Sequence, residues 1–253
     1  MSGTPGTELT GRRVLVTGAA RGLGRSITSH LASAGARVLA VDIDEDGLAE
    51  AATGWSNLGE VHTARCDVSD EVSVNSAVDE ASRALGGLDG VVNNAAIVSV
   101  TRAPAQQVPV EEFDRVFAVN VRGPWLVYRA TARLLAASDC AGIVNLSSET
   151  AFSGSRNMAH YVGSKAAVIG LTRALAREAG QSDIRVNAVA PGFTDTEGAR
   201  AIGDPDTYDT TGTPLGRVGV PADVVGAVAF LLSPAAAFIS GQVLLVNGGR
   251  VAG

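Results

Sequence analysis

Val14-Leu15-Val16-Thr17-Gly18-Ala19-Ala20-Arg21-Gly22-Leu23-Gly24 is the stretch whose reading decides the fold. An apolar run ends, glycines turn the chain, and a segment with helical spacing begins. Gly18 permits the tight turn, Gly22 lets backbone approach a diphosphate, and Gly24 lets the helix pack close to the strand. The helix start offers free N–H groups and partial positive charge to that anion. A plain structural turn could use the same glycines, so the reading rests on context. The next apolar run, 37–41, ends at Asp42. Its separation from Gly18 is near that of an acid that receives the adenine ribose hydroxyls. Such a carboxylate accepts from the 2′-hydroxyl of NAD and repels the 2′-phosphate of NADP. Arg21 opposes this as a cation inside the turn, but Asp44, Glu45 and Asp46 keep the neighbourhood acidic. The expected cofactor is NAD, with NADP the weaker candidate.

Outward from that turn, short apolar runs alternate with helix-like segments along the whole chain. The runs are 14–16, 37–41, 61–66, 90–92, 142–146, 184–189 and 242–246. They are rich in Val and Leu with little strict alternation, as expected of strands buried on both faces of a parallel sheet. Segments 24–34, 71–85, 111–137 and 166–179 carry apolar residues at helical spacing. Alternating β and α elements imply one doubly wound α/β domain over 1–253, with every strand's C-terminal end on the ligand-binding edge. The least regular stretch, 194–214, is acidic and suits a substrate lid.

Composition narrows the function classes. The chain has 253 residues, 46% hydrophobic and 18% charged, enough for a sizeable core. A net charge of −6 disfavours nucleic acid and anionic membranes. Two cysteines without a CxxC pair and three scattered histidines give no metal or disulfide framework. Segment 1–13 holds no apolar run, and the longest apolar stretch, 224–232, is too short to span a bilayer. A cytoplasmic protein is expected. Cys66 and Cys140 read as small packing residues, and Trp55 and Trp125 as core or interface. Among 20 basic residues only one is lysine, Lys165.

A second constellation surrounds that lysine. The apolar run 142–146 leads into Ser147-Ser148. Tyr161 comes next, after a short polar stretch, and Lys165 stands at the i+4 position from it. Positions i and i+4 share a helix face, so phenol and ammonium project together. A nearby cation is expected to lower the Tyr161 pKa, which suits a general acid or base acting on an alcohol or carbonyl. Ser148, at a strand's C-terminal end, can hydrogen-bond the same oxygen. His160 lies about 100° away from Tyr161 on a helix and reads as helix start or rim.

These residues make the sequence resemble the short-chain dehydrogenase/reductase family, and the likeness covers nearly the whole chain. The family's TGxxxGxG turn stands as Thr17 to Gly24, and its NNAG as Asn93-Asn94-Ala95-Ala96. Its catalytic Asn, Ser, Tyr and Lys match Asn120, Ser148, Tyr161 and Lys165. Its PG turn is Pro191-Gly192, and its DGG is Asn247-Gly248-Gly249. Ala96 and Asn247 depart from the pattern without removing a catalytic group. The resemblance implies a seven-stranded Rossmann sheet, a homotetramer, and hydride transfer between a nicotinamide and a carbinol or carbonyl carbon. It places Gly18, Arg21, Gly22, Leu23, Gly24, Asp42, Ile43, Asp67, Val68, Asn94, Ala95, Ala96, Tyr161, Lys165, Pro191, Gly192, Thr194 and Thr196 around the cofactor. The lysine would bind the nicotinamide ribose, depress the tyrosine's pKa and link to a proton relay anchored near Asn120. A substrate pocket is expected near Ala96, Thr150, Phe152, Phe193 and the 194–214 lid.

Three rivals remain. An NADPH-dependent 3-oxoacyl-carrier-protein reductase resembles this chain overall. In such enzymes, basic residues usually precede the fifth strand and follow the long catalytic helix. Here those places read Ser138-Asp139-Cys140 and Gln181-Ser182-Asp183. An extended-branch epimerase needs a larger C-terminal part than the chain carries after Tyr161. A non-catalytic dinucleotide sensor would be expected to lack one of the four catalytic groups.

Overall fold

The computed structural model describes residues 6, 8–200 and 203–252. Of the expected 194–214 lid, 201 and 202 therefore lie outside the described residues. Seven strands form one parallel sheet: β1 (Arg13–Thr17), β2 (Arg37–Asp42), β3 (Val61–Arg65), β4 (Gly90–Asn93), β5 (Gly142–Leu146), β6 (Arg185–Pro191) and β7 (Val243–Val246). Their order is β3-β2-β1-β4-β5-β6-β7. The order reverses between β1 and β4, and ligands bind at such a switch point.

The strands alternate in which layer they serve. Val14 and Val16 of β1 face one core and Leu15 the other. The first core gathers α1 (Gly22–Ser33), α2 (Glu45–Trp55) and α9 (Pro221–Leu232) through Ile27, Leu31, Leu48, Trp55, Val224 and Val228. The second gathers α3 (Glu71–Leu85), α5 (Gly123–Leu135) and α7 (Ala159–Ala179) through Val74, Leu85, Leu126, Leu135 and Leu175. Burial on both faces is why β4, β5 and β6 show little apolar–polar alternation, and their Asn93, Asn145 and Asn187 side chains are buried with hydrogen-bond partners.

Local chemistry sets the helix ends. The Asp44 carboxylate accepts from Gly47 N–H at the start of α2, and Asp70 from Ser73 N–H at the start of α3. Gly86 ends α3 in the left-handed region at φ 76°.

Several expectations need correction. Segment 111–137 is not one helix. It divides into α4 (Val110–Phe117), a π-helical turn (Ala118–Arg122) and α5. Pro124 lacks the N–H that a continuous helix would use, and Asn120 turns its amide inward within the wide turn. Helix α2, absent from the segments singled out above, buries Leu48, Ala51 and Trp55 on one stripe. His160 starts α7 as expected but lies in no rim. It is 1% exposed, with Nε2 3.3 Å from the Glu112 carboxylate of α4. Trp55 is core, its indole N–H on Ser29 Oγ at 2.9 Å. Trp125 is exposed, with the Arg129 guanidinium 5.6 Å over its ring. Cys66 is a buried packing residue and Cys140 is half-buried.

Candidate active site

The site forms along the C-terminal edge of the sheet. Beyond β1, Gly24 packs so closely that a Cβ there would lie 1.9 Å from Gly18 O. Asn94, just past β4, clamps the turn by donating its amide to Thr17 O and Gly18 O. The Thr17 hydroxyl accepts from the N–H groups of Asn94 and Ala95. Gly22 takes φ 55°, and a Cβ there would meet only Thr196, at 3.6 Å. Its N–H is already on an anion: Glu197 Oε2 accepts it at 2.9 Å. A helix start that is open on one side and takes a carboxylate fits a diphosphate.

Two carboxylates stand further along the sheet edge, at and beyond the ends of β2 and β3. Asp42, at the end of β2, receives Ala20 N–H on Oδ2 and Asp44 N–H on Oδ1. It is therefore fixed against the turn, whereas Arg21 and Ile43 are exposed. Asp67 Oδ1 receives the N–H and hydroxyl of Ser69. Val68 is buried next to it.

Beyond β5, the 4% exposed Lys165 is locked onto the strand end. Its Nζ donates to Leu146 O at 2.8 Å, and Ser147 Oγ donates back to Lys165 O at 2.8 Å. Burial pushes the ammonium down to about 8. Nζ lies 5.9 Å from the centre of the Tyr161 ring. The expected lowering of the phenol is not found. Burial pushes Tyr161 up, and its hydrogen bond with Ser148 only partly offsets that. Desolvation of the phenolate outweighs a cation whose shortest bond is to a carbonyl. Ser148 Oγ also receives, at 3.0 Å, the hydroxyl of Thr150, which opens the short α6 (Thr150–Ser153). Asn120, buried in the π turn, accepts Ile97 N–H and donates to Ile97 O and Ser164 Oγ. It ties the segment after β4 to the catalytic-side face of α7.

A cavity of about 320 Å³ brings these groups together. Ser148, Tyr161 and Lys165 line it with Leu23, Asn94, Ala96, Thr150, Pro191, Gly192, Phe193, Thr194 and Thr196. Thr194 donates to Gly192 O, and Thr196 Oγ1 receives Ala199 N–H at the start of the short α8 (Glu197–Arg200).

Comparison with known proteins agrees with this geometry. A family model described as enoyl-(acyl carrier protein) reductase matches residues 18–250. D-threitol dehydrogenase of Mycolicibacterium smegmatis is 34% identical over 96% of this chain and 94% of its own. The crystal structure of a short-chain type dehydrogenase/reductase from Mycobacterium marinum superposes with TM-score 0.92 at 33% identity, covering 98% of each chain. The chain belongs to the short-chain dehydrogenase/reductase family. It is an oxidoreductase of CH–OH groups, and its family takes a nicotinamide dinucleotide. One further relative, a Brucella melitensis 3-ketoacyl-(acyl-carrier-protein) reductase complexed with NADH, is 34% identical with TM-score 0.88, covering 96% of this chain and 99% of that one.

Sequence reasoning missed several lining residues of this dehydrogenase/reductase. Val98, Arg102, Met158 and Glu149 belong to the cavity, and Phe152 does not; Tyr208 also lines it, within the expected 194–214 lid. Tyr208 stacks on Phe193 with centroids 4.3 Å apart, a pairing across irregular chain that leaves no periodic signal. Glu149 could have been found: a charged residue directly after Ser148, at the end of a buried strand, is out of place unless something uses it.

Among the described residues no His, Cys, Asp and Glu cluster could hold a metal, and no helix is long and apolar enough to cross a membrane.

Proposed function

We propose that this enzyme moves a hydride between NAD and a secondary alcohol or its ketone. The observation that carries the reading is one small cavity lined by Ser148, Tyr161 and Lys165 on one side and by Leu23, Asn94 and Thr196, next to the glycine turn, on the other.

When bound, the nicotinamide accepts or returns the hydride. The chain's own residues do the rest. Gly18, Arg21, Gly22, Leu23 and Gly24 receive the diphosphate, with Asp42 and Ile43 at the adenine ribose and Asp67 and Val68 at the adenine. Asn94, Ala95, Ala96, Pro191, Gly192, Thr194 and Thr196 surround the nicotinamide half. In oxidation Tyr161 takes the alcohol proton, and in reduction it returns it to the carbonyl oxygen. Ser148 donates to that oxygen as charge develops. Lys165, its Nζ 5.9 Å from the centre of the Tyr161 ring, binds the ribose. Asn120 positions Ser164 and the segment after β4, and anchors the proton relay. Thr150 and Phe193 border the substrate, under residues 194–214 as lid.

NAD is favoured over NADP because Asp42 is fixed where the ribose hydroxyls would lie, whereas Arg21 is exposed. The carrier-protein reductase reading is less well supported. One such relative is complexed with NADH, so cofactor preference alone does not separate the two readings. The docking rim favours the alcohol reading: Asp139 and Asp183 occupy it, and Arg185 nearby is buried, donating to Leu231 O. An acidic carrier would meet no cation at those positions. We also propose a cytoplasmic homotetramer, supported by apolar side chains left exposed on α4, α5 and near β7: Val110, Phe113, Trp125, Phe238 and Leu244.

The test is a spectrophotometric assay of the purified protein with either nucleotide against a panel of secondary alcohols and ketones. Turnover with an alcohol supports the reading. Nucleotide binding without turnover of any alcohol or ketone overturns it in favour of a sensor.

A further inference from the structure

Glu149 is a carboxyl where the mechanism above needs none. It follows Ser148 directly, and its backbone continues the sheet by donating N–H to Pro191 O at 2.9 Å. Its residue is 5% exposed, and its Oε2 is buried with no hydrogen-bond partner among the described residues. Among those residues, no other with such an orphaned atom lines the reaction cavity. Buried polar atoms are nearly always partnered, so an orphan at a ligand cavity calls for a ligand.

The surroundings define what that ligand group is. Glu149, Gly192, Phe193 and Tyr208 line both the reaction cavity and a second cavity of about 760 Å³ behind it. Arg102 lines the first and Arg250 the second, so a cationic group would meet two guanidiniums. An anionic group would meet the carboxyl itself. An aliphatic tail along this wall would leave the carboxyl desolvated and unpaired, which is costly. A neutral donor satisfies it. Burial pushes the Glu149 carboxyl up, partly opposed by hydrogen bonding from the Asn247 side chain and the Phe193 backbone and by the Arg250 charge.

We propose that Glu149 is a specificity-determining residue whose carboxyl accepts a hydrogen bond from a second hydroxyl of the substrate. The substrate class is then a diol or polyol, with one carbinol at Ser148 and Tyr161 and a neighbouring hydroxyl on Glu149. This rests on the proposed alcohol oxidation at that site.

The probes are a vicinal cyclohexanediol and cyclohexanol, compared as kcat/KM with saturating NAD. A site built around a substrate hydroxyl rejects the analogue lacking it, so the wild type should favour the diol by about tenfold or more. Glu149→Leu should bring that ratio close to one, chiefly through KM for the diol, with NADH binding by fluorescence unchanged. Glu149→Gln, which keeps an acceptor oxygen and the side chain's shape, should retain most of the preference. A wild-type ratio near one overturns the proposal even if the Leu variant fails to fold. So does a Leu variant that lowers both alcohols alike. Failure to turn over either alcohol or any ketone would instead sink the underlying reading of the site.

Discussion

The carboxylate of Glu197 sits on the first amide of α1, with Oε2 accepting Gly22 N–H at 2.9 Å. Arg25 reaches its other oxygen at 3.9 Å. An acid from the segment after β6, far away in sequence, thus holds the amide on which the proposed cofactor's diphosphate would sit. A ligand must displace it, and the fraction of molecules with the amide free sets the apparent affinity.

Glu197→Gln should therefore bind NADH more tightly. The side chain is exposed, so the contact is weak, and a carboxylate at a helix start is worth about 0.3–1 kcal/mol. Losing it, together with its repulsion of the diphosphate, predicts a two- to fivefold lower Kd by fluorescence titration. Equal or weaker binding by the variant would mean that the contact does not compete with the cofactor.

Tyr161→Phe removes one hydroxyl from the cavity and keeps the ring. Activity should fall by about 10²–10⁴-fold, the usual share of general acid–base catalysis. NADH affinity should change little, because the glycine turn is untouched. Near-normal turnover in this variant would remove Tyr161 from the chemistry.

Lys165 makes a prediction about stability. Its ammonium is pushed from 10.5 down to about 8 by burial, so between those values the unfolded chain binds more protons than the folded one. Stability of the wild type should rise with pH across that window. The cost of burying the charge is fully present below about 8 and vanishes above 10.5. Lys165→Met abolishes this term together with activity. Denaturation at pH 7 and at pH 10 should show the variant's stability, relative to wild type, worsening by roughly 2–3 kcal/mol as pH rises. A pH-independent difference would indicate that the lysine is not desolvated as the fold implies.

Much of this is legible in the sequence, and the gaps have physical causes. The parallel sheet is readable because both faces of its central strands are buried, and the Tyr161–Lys165 pair because helical spacing fixes a shared face. The break at 118–122 is hidden: apolar spacing continues through a π turn, and only Gly123-Pro124 marks it. His160 escapes because angular offset from Tyr161 says nothing about what packs on the opposite side, here Glu112 of α4. The direction of the Tyr161 shift escapes because spacing places a cation nearby but does not count the water removed. The Glu197–Gly22 contact joins distant segments through an irregular loop, for which no local pattern exists.

In the proposed reading, cofactor choice sets Asp42 against Arg21, and their anchoring favours NAD. Asp42 holds two backbone amides, from Ala20 and Asp44, and so stays where the proposed cofactor's ribose would lie. Arg21 is exposed and free to point into water. Hydrogen bonds to charged groups are worth about 1.5–3 kcal/mol, so kcat/KM should favour NAD over NADP by roughly tenfold or more. Asp42→Ala also frees the Ala20 amide, so both constants should drop while their ratio narrows. Adding Ile43→Arg puts a second cation beside the 2′-phosphate on an already exposed position, and the ratio should then reverse. An unmodified enzyme that uses NADP as well as NAD would show that Arg21, not Asp42, governs the pocket.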